Sequence, residues 1–279
     1  MAMCVLSLFS CADDDQPVVN YQSETVPITF ACSGDFTLST QAMTRSLEAD
    51  GKELTDIWIL DYQGTNILQQ LHQVSTDIDF GTPTLNLSVG SHNLYFIASR
   101  GASPTLSTAD HTITFGKVLD TFYKSISLDV SATSGGTQTI TLERCVTKLK
   151  IVFEDEIPTG AASFNVTPTT WYYGIDYTTG LPTDATPSQA ITVNIPSSSI
   201  GKSGESVNIY GFSGIDEWAT NITLDCKASD NSILGNATIT TAPLKRNRIT
   251  SFSGPLFSGQ SAMTLALSSD WIPEYTATW

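Results

Sequence analysis

Apolar and polar residues alternate one for one along most of the chain, the period expected of half-buried β-strands. Val26, Ile28 and Phe30 share one face of a predicted strand. Pro27 lies inside it and removes a ladder donor, which predicts an edge strand. Residues 56–62 are apolar on both faces near their centre, so both faces are expected to be covered. The alternation returns at 85–89, 93–98, 112–115, 125–130, 137–142 and 146–153, where Leu149, Ile151 and Phe153 alternate against Lys148, Lys150 and Val152. It continues at 161–166, 190–195, 207–212, 221–225, 237–241, 248–252 and 263–267.

Turn signals such as Ser33-Gly34-Asp35, Ser134-Gly135-Gly136 and Thr179-Gly180-Leu181-Pro182 separate these runs. Short strands at this density predict an all-β protein of packed sheets and exclude repeated βαβ units. Helical periodicity is weak, and residues 117–124 hold the best candidate for a helical turn.

With 279 residues the chain has room for two domains. The strands divide near Glu143-Arg144, which predicts an N-terminal domain over 20–143 and a C-terminal domain over 144–279. The formal net charge of −15, with only 13 basic residues, argues against nucleic acid as a partner, because such binding rests on Lys and Arg neutralising phosphates. Cys32, Cys145 and Cys226 are far apart, and neither they nor His72, His92 and His111 show metal-ligand spacing, so no metal or other cofactor is expected.

The start of the chain carries a different signal. A short apolar leader ends Leu8-Phe9-Ser10-Cys11, and Asp13, Asp14 and Asp15 follow. That order reads as a lipoprotein signal over residues 1–11, with Cys11 as the lipidated residue and 12–19 as an acidic tether. No Lys or Arg precedes Arg45, so the basic start of a secretory signal is missing, and an ordered N-terminal strand with a chance cysteine stays open. Two or three acyl chains on Cys11 would anchor the protein without a spanning helix.

Candidate catalytic motifs fail on spacing. Gly201-Lys202-Ser203 lacks the first glycine of a phosphate loop, since Pro196 stands there. Gly211-Phe212-Ser213-Gly214 falls one residue short of a nucleophile elbow. Glu154-Asp155-Glu156 reads as a solvated turn after a strand. No catalytic residue is expected, and the protein is read as a non-enzyme. Trp171 and Tyr172, with Tyr173 and Tyr177 nearby, form the best ligand candidate, because aromatic faces stack on sugars. The alternative is that Trp171 and Tyr173 face a core and Tyr172 does not. Trp218, beside Asp216 and Glu217, would extend such a patch if it lay close.

Three stretches carry a resemblance. They are Thr44-Arg45 with Leu54 to Gly64, then Leu142-Glu143-Arg144-Cys145-Val146-Thr147-Lys148-Leu149-Lys150-Ile151, then Ala242-Pro243-Leu244-Lys245-Arg246-Asn247-Arg248-Ile249-Thr250 followed by Gly254-Pro255-Leu256. In this order, behind such a leader, the chain resembles the fimbrillin-like proteins of type V pili. The resemblance implies two tandem transthyretin-like Greek-key β-sandwich domains. It also implies a lipid-anchored, surface-exposed protein of the outer membrane, with Asp13 to Asp15 as an export tag.

The resemblance further implies proteolytic maturation at Arg45 and assembly with other pilus subunits by strand exchange. Cutting there would release the Val26–Phe30 strand and open a groove for a partner's strand, a form of β-augmentation. The C-terminal residues 268–279 alternate poorly around Pro273, which favours an anchor, tip or accessory subunit over a shaft subunit. Its partners would include a host glycan or protein receptor. The rival reading is a carbohydrate-binding surface lipoprotein that never polymerises, with Trp171 and Tyr172 at its ligand face.

Overall fold

In the computed structural model the described residues are 24–35, 37–38, 53–100, 104–186, 188–258 and 263–268. Cys11, Asp13, Asp14, Asp15 and Arg45 lie outside them. The chain is all-β, built as tandem β-sandwiches. The one helical element among the described residues is a short 3-10 turn, Ser197–Ser199. Residues 117–124 do not form the predicted helical turn. They lead into β10 (Thr121–Val130), which pairs along its whole length with β7 (Gly90–Ser99). Phe122 and Tyr123 are both buried, and cross-strand burial overrides the weak helical pattern there.

The first sandwich sets a three-stranded sheet, β11 (Gly136–Thr141), β1 (Thr25–Ser33) and β6 (Thr84–Ser88), against a five-stranded one. The second sheet runs β12 (Glu143–Arg144), β10, β7, β4 (Asp56–Gln63), β5 (Asn66–Val74). A small parallel bridge joins β2 (Thr37–Leu38) to β3 (Glu53–Leu54). Val26, Ile28, Phe30, Leu85 and Leu87 from one sheet meet Ile57, Ile59, Leu94 and Phe96 from the other.

The second sandwich places β18 (Ser206–Phe212), β13 (Val146–Phe153), β21 (Ile249–Gly254) and β22 (Thr264–Ser268) in one sheet. Its other sheet is β17 (Ile191–Asn194), β14 (Ala161–Pro168), β19 (Trp218–Ala228) and β20 (Ile233–Leu244). The two sandwiches share a frame. In each, the first strand lies between a late strand that runs parallel and a middle strand that runs antiparallel: β1 between β11 and β6, β13 between β21 and β18.

A further sheet crosses between them. The hairpin β8 (Thr105–Ser107) and β9 (Thr112–Thr114) leaves the first sandwich and pairs with β15 (Trp171–Asp176), which pairs in turn with β16 (Leu181–Thr186). This explains why β4 is apolar on both faces. Ile57 and Ile59 enter the first core, while Trp58, Leu60 and Tyr62 join Ile113, Phe115, Tyr173 and Tyr177 in the second. Tyr62 and Tyr177 hydroxyls stand 2.7 Å apart across that contact.

Pro27 sits in a central strand and not the predicted edge strand. The N–H groups of Phe30 and Cys32 donate to Pro83 and Gly81, on the β6 side. By alternation the missing Pro27 N–H would face β11, where pairing begins only at Ile28. No ladder bond is therefore lost.

Candidate functional site

The strand that the N-terminal reading turns on is β1. Its alternate residues Val26, Ile28, Phe30 and Cys32 are all buried. Phe30 packs against Phe96 with ring centroids 5.4 Å apart. Burying Val26, Ile28 and Phe30 contributes roughly 5–9 kcal/mol before ordering costs. Neighbours on both sides supply its backbone partners, so removing β1 would leave a groove walled by β6 and β11 and floored by the first core.

The aromatic cluster divides by strand alternation. Trp171 is fully buried, its Nε1 donates to the Tyr210 carbonyl at 3.0 Å, and its ring lies against Gly211. Tyr173 and Tyr177 are buried as well. The Tyr177 hydroxyl is pushed well above its ordinary pKa by burial, reinforced by the hydrogen bond with Tyr62. Tyr172 points the other way, is half-buried, and meets Trp218 edge to face at 5.2 Å. Trp218 Nε1 donates to Ser213 Oγ at 2.9 Å, which fixes the indole. An accessible aromatic surface is thus made by Tyr172 and Trp218, while the Trp171 ring belongs to the core. Sequence spacing alone could not bring residues 172 and 218 together.

The arginines of the second and third resemblance stretches make buried contacts, and Arg144 makes them at the junction of the sandwiches. Arg144 is buried and grips Asp120 through Nε–Oδ1 at 2.7 Å and Nη2–Oδ2 at 3.0 Å. It also donates to Asp35 Oδ2 at 3.2 Å and to Asn247 Oδ1 at 3.0 Å, and stacks over Phe122 at 4.6 Å. Arg246 donates to the carbonyls of Ser213 and Gly180. Arg248 donates to Glu217 at 2.5 Å. Arg144 thus ties the two halves and Arg246 ties two loops, whereas Arg248 keeps Nε and Nη2 buried without a hydrogen-bond partner.

Groups that look catalytic are structural in this arrangement. Asp61, His92 and Ser88 line up, with Asp61 Oδ1 2.7 Å from His92 Nδ1. However, His92 Nε2 faces the Ser88 carbonyl at 2.8 Å, while Ser88 Oγ is 3.4 Å away. A carbonyl only accepts, so Nε2 carries a proton and cannot take one from the serine. Asp155, read from sequence as part of a solvated turn, instead accepts backbone N–H groups from Leu256 and Phe257, at 2.9 and 2.6 Å, and from Ser258. Among the described residues no group of three or more His, Cys, Asp or Glu is placed to hold a metal. Cys32, Cys145 and Cys226 are free and buried.

Residues 104–279, well over half of the chain, match a family of unknown function (DUF6562). No curated protein matches. Among solved structures, a candidate adhesin from Bacteroides ovatus superposes with a TM-score of 0.51 at 13% identity, covering 84% of this chain and 88% of its own. A candidate cell-adhesion protein from Bacteroides uniformis gives 0.51 at 10% identity, covering 89% of this chain and 100% of its own. A C-terminally truncated tip fimbrial protein from Porphyromonas gingivalis gives 0.46 at 9% identity, over 88% of this chain and 99% of that one.

Proposed function

The chain belongs to the DUF6562 family, whose function is unknown, and we propose that it is a non-enzymatic cell-surface protein acting in adhesion, whose first strand is exchanged for that of a partner subunit. The adhesion part rests on how proteins of this fold are named, which is analogy. The strand-exchange part rests on one observation: β1 is the first of the described strands, fills the middle of a sheet and is joined onward through residues that include Arg45.

In this reading Cys11 carries the lipid, Asp13 to Asp15 direct export, and the protein stands on the outer membrane. The chain works as two units divided at 143/144, with the β8–β9 hairpin strapping the first to the second. A cut after Arg45 severs β1 from the rest but leaves it held non-covalently. An incoming strand with the same alternation then displaces it. Whether the subunit is an anchor, a tip or an accessory follows from what supplies that strand.

The test is to nick the full chain with an arginine-specific protease and add a labelled peptide of residues 24–35. Terminal sequencing should find Ser46, and the peptide should enter nicked but not intact protein. A nicked protein that never exchanges β1 would end the strand-exchange reading. Mass spectrometry of the native N-terminus tests acyl-Cys11 separately.

A second reading has its own support. Tyr172 and Trp218 give a half-exposed aromatic pair suited to stacking on a sugar ring. A glycan array on the soluble chain reads it: binding lost in Tyr172→Ala and Trp218→Ala favours a carbohydrate-binding surface protein, with or without strand exchange.

A further inference from the structure

An open sheet ends in strands whose outer N–H and C=O groups lack a ladder partner, and proteins guard such edges with short length, charge, proline or a covering element. Among the described sheet edges the long ones are β5, β18 and β20, of 9, 7 and 12 residues. β18 is met by the crossing sheet, where Trp171 Nε1 donates to the Tyr210 carbonyl. β20 carries Pro243, two register shifts and Thr241 at a positive φ of 56°. β5 reads Asn66-Ile67-Leu68-Gln69-Gln70-Leu71-His72-Gln73-Val74, with no proline and no Asp, Glu, Lys or Arg. No described strand lies beyond it. Its one register shift falls near its start, opposite Asp61 and Tyr62, and leaves residues 69–74 in regular pairing with β4.

The order of residues on this edge identifies what fits it. About Leu71 the run is symmetric by class: Gln70 answers His72, Gln69 answers Gln73, and apolar Leu68 and Val74 flank the two ends. Antiparallel pairing of two copies with Leu71 opposite Leu71 therefore sets apolar against apolar and amide against amide. Residues that meet are an even number of positions apart, so they share a sheet face, as antiparallel partners must. The exposed row Leu68, Gln70 and His72 stays on one face, and the covered row Gln69, Leu71 and Gln73 on the other.

The side chains of the edge are already held. His72 stacks on Trp58 at 4.8 Å, and its Nε2 lies 2.8 Å from Asp56 Oδ1. Gln69 donates to Asp61 and to the Asn86 carbonyl, while Gln73 donates to the Asp79 carbonyl and accepts from the Gly81 N–H. Groups fixed beforehand lose little freedom on association. Leu68, 45% exposed, gains cover from Val74 of the second copy. Charge points the same way. The chain carries −15, so two copies repel wherever acids face each other. A strand without formal charge is a line along which they can close, and it offers a charged foreign strand no counter-charge.

We propose that β5 pairs antiparallel with β5 of a second copy across a two-fold axis at Leu71, which joins the two five-stranded sheets into one. β1 lies in the opposite sheet, so this pairing is independent of strand exchange.

Sedimentation equilibrium on the full chain should show a reversible dimer with a dissociation constant below about 1 mM. Gln70 is exposed, and the two residues 70 stand diagonally across the axis at about 7–8 Å. Gln70→Lys and Gln70→Glu should therefore each weaken the dimer about tenfold or more, with the melting temperature of dilute protein unchanged. An equimolar mixture of the Lys and Glu variants should regain the dimer, a rescue that damage to the fold would not give. A chain that stays monomeric to about 1 mM would overturn the proposal and leave the edge to another protein's strand. A dimer indifferent to both variants would overturn it too. So would hydrogen-exchange protection of the outward β5 amides in dilute monomer, the sign of the chain's own residues on that edge.

Discussion

Arg144 and Asp120 face each other through two parallel hydrogen bonds at 2.7 and 3.0 Å, both side chains largely out of solvent. The pair joins the β10 end of the first sandwich to the start of the second. Asp35, through its carboxylate and its backbone carbonyl, and Asn247 accept from the remaining donors, so the guanidinium makes five hydrogen bonds to these three residues. Removing Arg144 strands a buried carboxylate. Arg144→Leu should destabilise the protein by about 3–5 kcal/mol in urea denaturation. Arg144→Lys should rescue only part, because an ammonium cannot make the paired fork.

Asp120 sets a pH dependence. Burial raises its pKa above the ordinary carboxylate value, and the hydrogen bond and charge of Arg144 pull it partly back. A carboxyl whose folded pKa exceeds its unfolded one binds more protons when folded, so its contribution falls as pH rises from the unfolded value of 3.8 through the raised one. Denaturation across that window should therefore show a downward contribution that Asp120→Asn abolishes. In Arg144→Leu the window should extend to higher pH.

Trp171 and Tyr172 are neighbours in sequence with opposite fates, and substitution should separate them. Trp171→Ala should cost about 3–5 kcal/mol of stability, as for other buried aromatics. Gly211→Ala should cost about 1–3 kcal/mol, since a Cβ there would stand 2.6 Å from Trp171 Cε2. Tyr172→Ala should shift the denaturation midpoint far less, because that ring is only half-buried.

Proline placement in β1 offers a test of the ladder. Pro27 is tolerated because its position precedes the β11 pairing. Thr29 lies two residues on, inside that ladder and opposite Thr137. Thr29→Pro should remove a used donor and destabilise by about 1–3 kcal/mol, whereas Pro27→Val should be near neutral. Thermal melts of the two variants decide it.

The three interior thiols should be inert. Burial pushes Cys32 and Cys145 up to about 12 and Cys226 to about 11, so the nucleophilic thiolate is scarce at neutral pH. With Cys4 and Cys11 replaced by serine, a thiol reagent should label nothing in the native protein and three sites in denaturant.

The alternation of Val26, Ile28 and Phe30, or of Leu149, Ile151 and Phe153, by itself determined that this is an all-β protein with half-buried strands. Side-chain period is a local property of the backbone, so it is legible residue by residue. The same pattern marked residues 56–62 as covered on both faces. What covers them was decided by the tertiary structure, because the β8–β9 hairpin crosses to β15 through pairings more than fifty residues apart. Pro27 was misplaced at an edge for a related reason: whether a missing N–H matters depends on where a distant partner strand starts. Tyr172 with Trp218, and Arg144 with Asp120 and Asn247, were both set by packing between segments. Sequence specifies which groups exist, and only the folded path of the chain decides which of them meet.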